Sequence, residues 1–204
     1  AVVNKMDKEG GCWRSAVDSL RRKLAGSFPL PVQIPLWRAR RRGGGGGDMV
    51  VVADLDGGDG EYVGAVDLVS MRSVVYPSDV NVSNVEAMIP QVTSLLMEDG
   101  VTPRNEDCQI TIRALVARNE MIASLADVDD TVAEYYLMEE DVPIDELKRA
   151  LRRSTCDKSI MPVFTAAALK GKGIELILDG ITDLLPSPID RPPPPVLIHE
   201  KKHK

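Results

Sequence analysis

A chain of 204 residues with 44% apolar content can bury a core of one or two domains. Its formal net charge of -6 argues against nucleic-acid binding driven by the field of the whole molecule. Cys12, Cys108 and Cys156 lack Cys-x-x-Cys spacing and have only His199 and His203 as imidazole partners, so they point to free thiols in a reducing compartment rather than a metal site. No run of about 18 apolar residues marks a membrane span.

In chain order, residues 1-3 have the look of a strand tail, and Asn4-Lys5-Met6-Asp7 follows it. Guanine presents an N1-H and an N2 amine side by side, and one carboxylate can accept from both. Asp7 would therefore choose guanine over adenine, Asn4 would bond the opposite edge of the base and brace a second loop, and the Lys5 methylenes would lie along its plane. A site built to hydrogen-bond its ligand rejects an analogue that cannot respond by roughly four to five powers of ten in favourable cases. Taken alone, the same four residues also suit a polar turn capping the next helix. That helix is expected over Cys12 to Leu24, with Val17, Leu20 and Leu24 on one face.

Pro29 and Pro31 are expected to end this element. Val32 to Leu36 reads as a short strand opening an inserted subdomain, and Tyr62 to Val69 as its partner. Between them, Arg38-Ala39-Arg40-Arg41-Arg42 and five glycines suit a solvated low-complexity insertion better than a basic patch for nucleic acid. Residues 77-112, punctuated by Pro77, Pro90 and Pro103, suggest loop and short helical pieces. A helix from Arg113 would turn Leu115, Ile122 and Leu125 inward, and another from about Thr131 carries Val132, Tyr135 and Tyr136. Pro143 opens a third, with Asp145 and Glu146 in its first turn and Lys148, Arg149, Arg152 and Arg153 further on, which complements the helix dipole.

Met161 to Thr165 reads as a core strand, followed directly by Ala166-Ala167-Ala168-Leu169-Lys170, the second loop that pairs with Asn4-Lys5-Met6-Asp7. Ile174, Ile177, Leu178, Ile181 and Leu185 recur at helical spacing and are all expected in the core. Pro186-Ser187-Pro188 stops the helix, and residues 191-204 form a tail expected not to fold.

Several segments agree in order with one family: Val2 to Lys8, Gly64 to Val69, Asp127-Val128-Asp129-Asp130 with Leu137 to Glu140, Leu147 to Arg153, Pro162-Val163-Phe164 through Gly173, and Leu184 to Pro188. Through them the chain resembles the second half of the G domain of elongation factor G, most closely the mitochondrial versions. The resemblance implies an α/β fold: a partial P-loop NTPase G domain formed by residues 1-31 and 156-190, with an inserted α+β G′ subdomain at 32-155. It implies GTP as ligand, held at the base by Asn4, Lys5, Asp7, Ala168 and Leu169, with the Ala168 backbone N-H donating to guanine O6 and Leu169 walling the base.

The family's second loop usually carries glycine and serine where this chain has Ala166 and Ala167. Loss of the hydroxyl forfeits about 1 kcal/mol, and loss of glycine constrains the backbone if that position needs a positive φ. The family's phosphate-binding Gly-x-x-x-x-Gly-Lys-Ser/Thr loop, switch threonine and Asp-x-x-Gly all precede the Asn-Lys-x-Asp loop, where this sequence has three residues. Magnesium ligands and catalytic residues are thus expected to lie outside this chain, which alone should be inactive. Asp54-Leu55-Asp56-Gly57 lies on the wrong side of Asp7, and Lys170-Gly171-Lys172-Gly173 lacks phosphate-loop spacing.

The intact factor would be a GTPase driving translocation on the mitochondrial ribosome, with plastid or bacterial cytoplasm as alternative settings. Its partners would be the ribosome, ribosomal RNA and the stalk protein of the large subunit, with no membrane. A ribosome-recycling GTPase of the same family and a non-catalytic stalk-binding module are the alternative readings.

Overall fold

A computed structural model describes residues 1-8, 10-24, 26, 28-40, 49-56, 60-77, 89-97, 102-105 and 108-190. Two sheets organise them. The first is parallel and three-stranded, with β8 (Ile160–Thr165) between β1 (Val2–Val3) and β2 (Phe28–Pro31). Val2 and Val3 pair with Phe164 and Thr165, and Phe28 to Pro31 pair in step with Ile160 to Val163. Helix α1 (Trp13–Lys23) makes the crossover from β1 to β2 that parallel pairing requires. It buries Trp13 and Val17, Cys12 Sγ accepts from the Ser15 N-H, and Arg21, Arg22 and Lys23 fill its last turn, where cations suit the helix dipole. Leu24, expected on the buried face, is the exposed C-cap.

Pro29 and Pro31 do more than stop α1: they lie within β2. An edge strand tolerates residues without an N-H provided that side faces away from the ladder.

The second sheet is antiparallel and consists of β3 (Gln33–Arg40), β4 (Met49–Ala53), β5 (Glu61–Asp67), β6 (Arg72–Val75) and β7 (Gln91–Ser94), in the spatial order β4-β3-β5-β6-β7. β3 does pair with β5, as the sequence suggested, but it runs on to Arg40 and pairs also with β4, Arg38 facing Val51. The first three residues of the arginine run are therefore strand, not low-complexity insertion. Arg41, Arg42 and the five glycines lie outside the described residues, as do residues 78-88 and the tail at 191-204. Within 77-112 the structure places β7, which was not expected there, and the first residues of helix α2 (Gln109–Ala126). Gly64 sits beside the register shift between Leu36 and Trp37, at φ +155°. A Cβ there would lie 1.9 Å from the Val74 carbonyl oxygen, so the neighbouring strand can approach only because this residue has no side chain.

Helices α3 (Asp130–Leu137) and α4 (Ile144–Cys156) follow α2. α2 starts four residues before Arg113 and buries Ala114, Met121 and Leu125, with Leu115 and Ile122 packed partly buried against the same core. Arg113 donates to the Ala53 carbonyl, and Arg118 to those of Leu68 and Val69, so this helix is pinned to the second sheet by charge-assisted bonds as well as by packing. The N-cap of α3 is Asp129, whose carboxylate accepts from the Val132 N-H and is clamped by both ends of the Arg153 guanidinium at 3.0 and 3.1 Å. Arg153 also donates to Glu146 at 2.9 Å, tying the last turn of α4 to its first.

One apolar cluster runs from Leu30 and Ile160 of the parallel sheet through Ile34, Val63 and Val66 of the second sheet to Leu125, Leu147, Leu151 and Leu184 of the helices. Each such side chain contributes about 1.5–3 kcal/mol on full burial. The final helix, α5 (Ile174–Leu184), packs differently from expectation. Ile174 and Ile177 are half-buried, but Leu178, Ile181 and Leu185 are exposed, and Leu184 is the residue buried in the core. The side facing β8 is set by Gly180, where an added Cβ would meet the Phe164 ring at 2.3 Å.

Candidate functional site

The parallel pairing of β1 with β8 delivers two loops to the same end of the sheet. Residues 4-7 follow β1 and residues 166-172 follow β8. They are joined at three points: the Ala166 N-H donates to the Val3 carbonyl at 3.0 Å, the Met6 N-H to the Ala166 carbonyl at 3.1 Å, and the Ala168 N-H to Asn4 Oδ1 at 3.0 Å. Asn4 Oδ1 also accepts from the Lys5 N-H at 2.7 Å. Lys5 adopts φ 63°, a left-handed conformation that costs energy for a residue with a side chain, and the loop is fixed around it.

Asp7 lies at the junction of the loops. Its side chain is only 4% exposed, yet its carboxylate has no hydrogen-bond donor among the described residues, and the Lys170 ammonium stands 4.0 Å away. Neither of its oxygens is among the fully buried atoms left without a partner, so water reaches the carboxylate and a ligand that donates to it would displace that water. Of the five residues named from sequence, Asn4 joins Lys5 and Ala168 through its side-chain oxygen, and Asp7 stands beside Lys170, the residue that follows Leu169.

One assignment changes in detail. The Ala168 N-H is taken up by Asn4, whereas the Leu169 N-H, at the start of a short 3-10 turn over Ala168–Lys170, has no partner among the described residues. The Leu169 side chain is 80% exposed and extends into solvent. Ala166 is not among the residues with positive φ, so alanine in place of glycine introduces no strain there. Ala167 is fully buried with Met6, Trp13, Trp37, Tyr62 and Val163, so its methyl group packs where a hydroxyl would need a partner.

Beneath the loop is a polar layer that the sequence did not reveal. Lys172 is 3% exposed. Its backbone exchanges hydrogen bonds with Ala167, 3.0 and 3.2 Å, while its ammonium donates to Glu61 Oε1 at 2.8 Å and to the Tyr62 carbonyl at 3.1 Å. The Tyr62 hydroxyl donates to the Thr165 carbonyl at 3.3 Å, and the Thr165 N-H to Gln33 Oε1 at 3.2 Å. Gly173, at φ +85°, lets the chain pass beneath, since a Cβ would lie 2.8 Å from the Thr165 carbonyl oxygen. Tyr76 reaches Glu175 at 2.7 Å. Burial pushes both tyrosine hydroxyls well above their usual pKa, and the Glu175 carboxylate raises that of Tyr76 further, so both stay neutral donors. The Lys-Gly-Lys-Gly run was legible only as a failed phosphate loop; the partner of its second lysine is 111 residues away in sequence.

No family model matches the chain. It is 33% identical over 195 residues to elongation factor G of Petrotoga mobilis, 31% over 195 residues to that of Thermotoga maritima, and 30% over 193 residues to that of Thermotoga neapolitana. Each alignment covers 95% of this chain and 22% of the relative. A crystal structure of a protein from Thermus thermophilus shares the fold at a TM-score of 0.60 and 21% identity, covering 93% of this chain and 22% of that one. The parallel sheet joined to an antiparallel one is the mixed α/β arrangement that this likeness supports. Over this region the chain is homologous to elongation factor G, and it spans about a fifth of the length of these relatives.

Proposed function

We propose that this chain is the guanine-recognising part of the G domain of an elongation factor of the G type. The observation that carries the reading is Asp7: a carboxylate 4% exposed, without a donor of its own among the described residues, at the meeting point of the two loops. Guanine N1-H and N2-H would satisfy both of its oxygens, the Leu169 N-H would be available to O6, and the Asn4 amide would bond the opposite edge. Adenine offers neither donor to Asp7, which leaves the carboxylate unpaired.

GTP would bring the phosphoryl group to the intact factor, with a magnesium ion bound to its phosphates. The 204 residues contain no Gly-x-x-x-x-Gly-Lys-Ser/Thr sequence, so this chain is assigned the base and not the phosphates or the metal. The intact protein would use GTP hydrolysis to move tRNA and mRNA on the ribosome. An organellar ribosome is the setting that the resemblance to mitochondrial versions implies, and a bacterial one is the alternative setting, since the relatives matched are bacterial. Residues 32-155 would form the inserted subdomain and meet the stalk protein, and Tyr136, Leu137 and Met138, exposed beside Glu139, Glu140 and Asp141, offer an apolar surface with a charged rim for such a contact. Binding of the full chain to that protein across a salt series tests this partner, and no association at low salt would remove it.

The base assignment is tested by titrating the 204-residue chain with guanosine and adenosine while following backbone amide resonances. Guanosine is expected to shift Asp7, Ala168 and Leu169, and adenosine to leave them in place. Equal responses to both, or none to guanosine, would overturn it.

A further inference from the structure

We propose that Lys172 is a positioning residue for base recognition, and that through Glu61 and Tyr62 it makes the shape of the base loop depend on the antiparallel sheet. This rests on the assignment of the loops to guanine and goes beyond it, because Lys172 does not itself face the gap at Asp7.

The geometry is specific. The Ala166 to Lys172 loop closes on itself through the two Ala167–Lys172 backbone bonds, and the 3-10 turn carrying Ala168, Leu169 and Lys170 stands on that closure. A loop closed by two backbone bonds can still tilt as a unit. Besides its three bonds to β1 and the first loop, it is tied to the antiparallel sheet by the Lys172 ammonium, which leaves the loop and enters β5, where it meets a carboxylate and a backbone carbonyl. The Lys172 side chain is 4% exposed, so its charge must be answered there: losing either partner would leave a buried ion or a buried carbonyl unsatisfied. Glu61 in turn lies 3.5 Å from Arg38 on β3, so loop, β5 and β3 form one connected chain of charges. Arg38 Nη1 is buried and makes no hydrogen bond at that separation, which marks the Arg38 end as the loose link and the Lys172 end as the firm one.

Two further ties act on the same segment: Tyr62 to the Thr165 carbonyl before the loop, and Tyr76 to Glu175 after it. The loop is therefore held on both flanks by tyrosines and at its closure by a lysine, all three partnering the antiparallel sheet. Coupling between sites is carried by such contiguous polar contacts when the element they hold has more than one arrangement. A rotation of β5 against β8 would move Lys172, and with it the Leu169 N-H and the Ala168–Asn4 contact that define the gap at Asp7.

The test compares the full chain with its Lys172→Met variant, in which the stem is kept and the charge removed, and with Lys172→Arg, which restores a cation. Without any nucleoside, amide hydrogen exchange of Met6, Ala167 and Ala168 is expected to quicken about tenfold in Lys172→Met, with Val63 and Val66 inside β5 little changed. Guanosine affinity is expected to fall about tenfold in the same variant, and Lys172→Arg to recover part of both effects. If Lys172→Met does not fold, Glu61→Gln, on the more exposed side of the pair, serves in its place with the same expectation. Unchanged exchange at the loop amides, or equal acceleration throughout β5, overturns the positioning role. Failure of the unmodified chain to respond to guanosine overturns the base assignment, and with it any recognition role for Lys172. The nucleoside-free exchange data keep those two failures apart.

Discussion

Asn4 and Ala168, 164 residues apart in sequence, are joined by a hydrogen bond of 3.0 Å from the Ala168 N-H to Asn4 Oδ1. The bond exists because Val2 and Val3 pair in register with Phe164 and Thr165, which brings both loops off the sheet at the same level. Asn4→Ala removes the brace and leaves Ala168 to water. It is expected to cost about 1 kcal/mol of guanosine affinity, roughly a fivefold rise in the dissociation constant, with the thermal midpoint nearly unchanged because the site is exposed. Isothermal titration alongside a melting curve checks both parts.

Two glycines face close neighbours, and their substitutions should differ. At Gly64 an added Cβ would meet backbone, the Val74 carbonyl oxygen at 1.9 Å, in a strand with no room to yield. Gly64→Ala is expected to destabilise by more than about 3 kcal/mol. At Gly180 the obstacle is the far end of the Phe164 side chain, which can turn aside, and the helix gains up to about 1 kcal/mol from replacing glycine. Gly180→Ala should therefore change stability by less than about 1 kcal/mol. Urea unfolding of the two variants measures the contrast.

Acid should loosen the ties that α4 makes within itself through Glu146 and to the segment after α5 through Asp190. Hydrogen bonding to Arg153 holds the Glu146 carboxyl below its usual range, and the Ser187 backbone N-H does the same for Asp190. A carboxylate with a folded-state pKa below its unfolded value stabilises the fold above the unfolded value, and that contribution is lost as pH falls through the folded one. The thermal midpoint is expected to drop on acidification through the carboxylate range. Arg153→Met, which removes the partner of Glu146 and Asp129, should start from a lower midpoint and fall less steeply. Melting curves at successive pH values in that range provide the check.

The chain alone is expected to release no phosphate from GTP above the buffer rate, with or without ribosomes, because phosphoryl transfer depends on cradled phosphates and magnesium that the base loops do not provide. A phosphate-release assay measures this directly, and ribosome-stimulated release would contradict it.

Sequence reasoning located α1, the four helices after residue 108, β8 and the two loops, because each carries a local signal: apolar periodicity, capping residues, or a short motif. It missed β2 because Pro29 and Pro31 are strong local stop signals, and only the pairing with β8 makes them strand residues. β7 reads Gln-Val-Thr-Ser and is mostly exposed, so it has no alternation to find. In α5 the spacing of Leu178, Ile181 and Leu185 marks a continuous apolar face, but periodicity cannot say which face meets the sheet; the contact of Gly180 with Phe164 decides that. At the site, the side chains that would touch the base were legible, whereas Lys172, Glu61, Tyr62 and Tyr76 act through partners distant in sequence and left no local trace.

The central claim is that Asp7 selects guanine, and the most direct measurement is the pair of dissociation constants for guanosine and xanthosine with the unmodified chain and with Asp7→Asn. An asparagine amide would donate to the 2-oxo group of xanthine and could no longer accept two bonds from guanine. The account predicts that Asp7→Asn weakens guanosine binding by about ten- to a hundredfold and strengthens xanthosine binding, reversing the preference. Guanosine affinity unchanged by the substitution would contradict it.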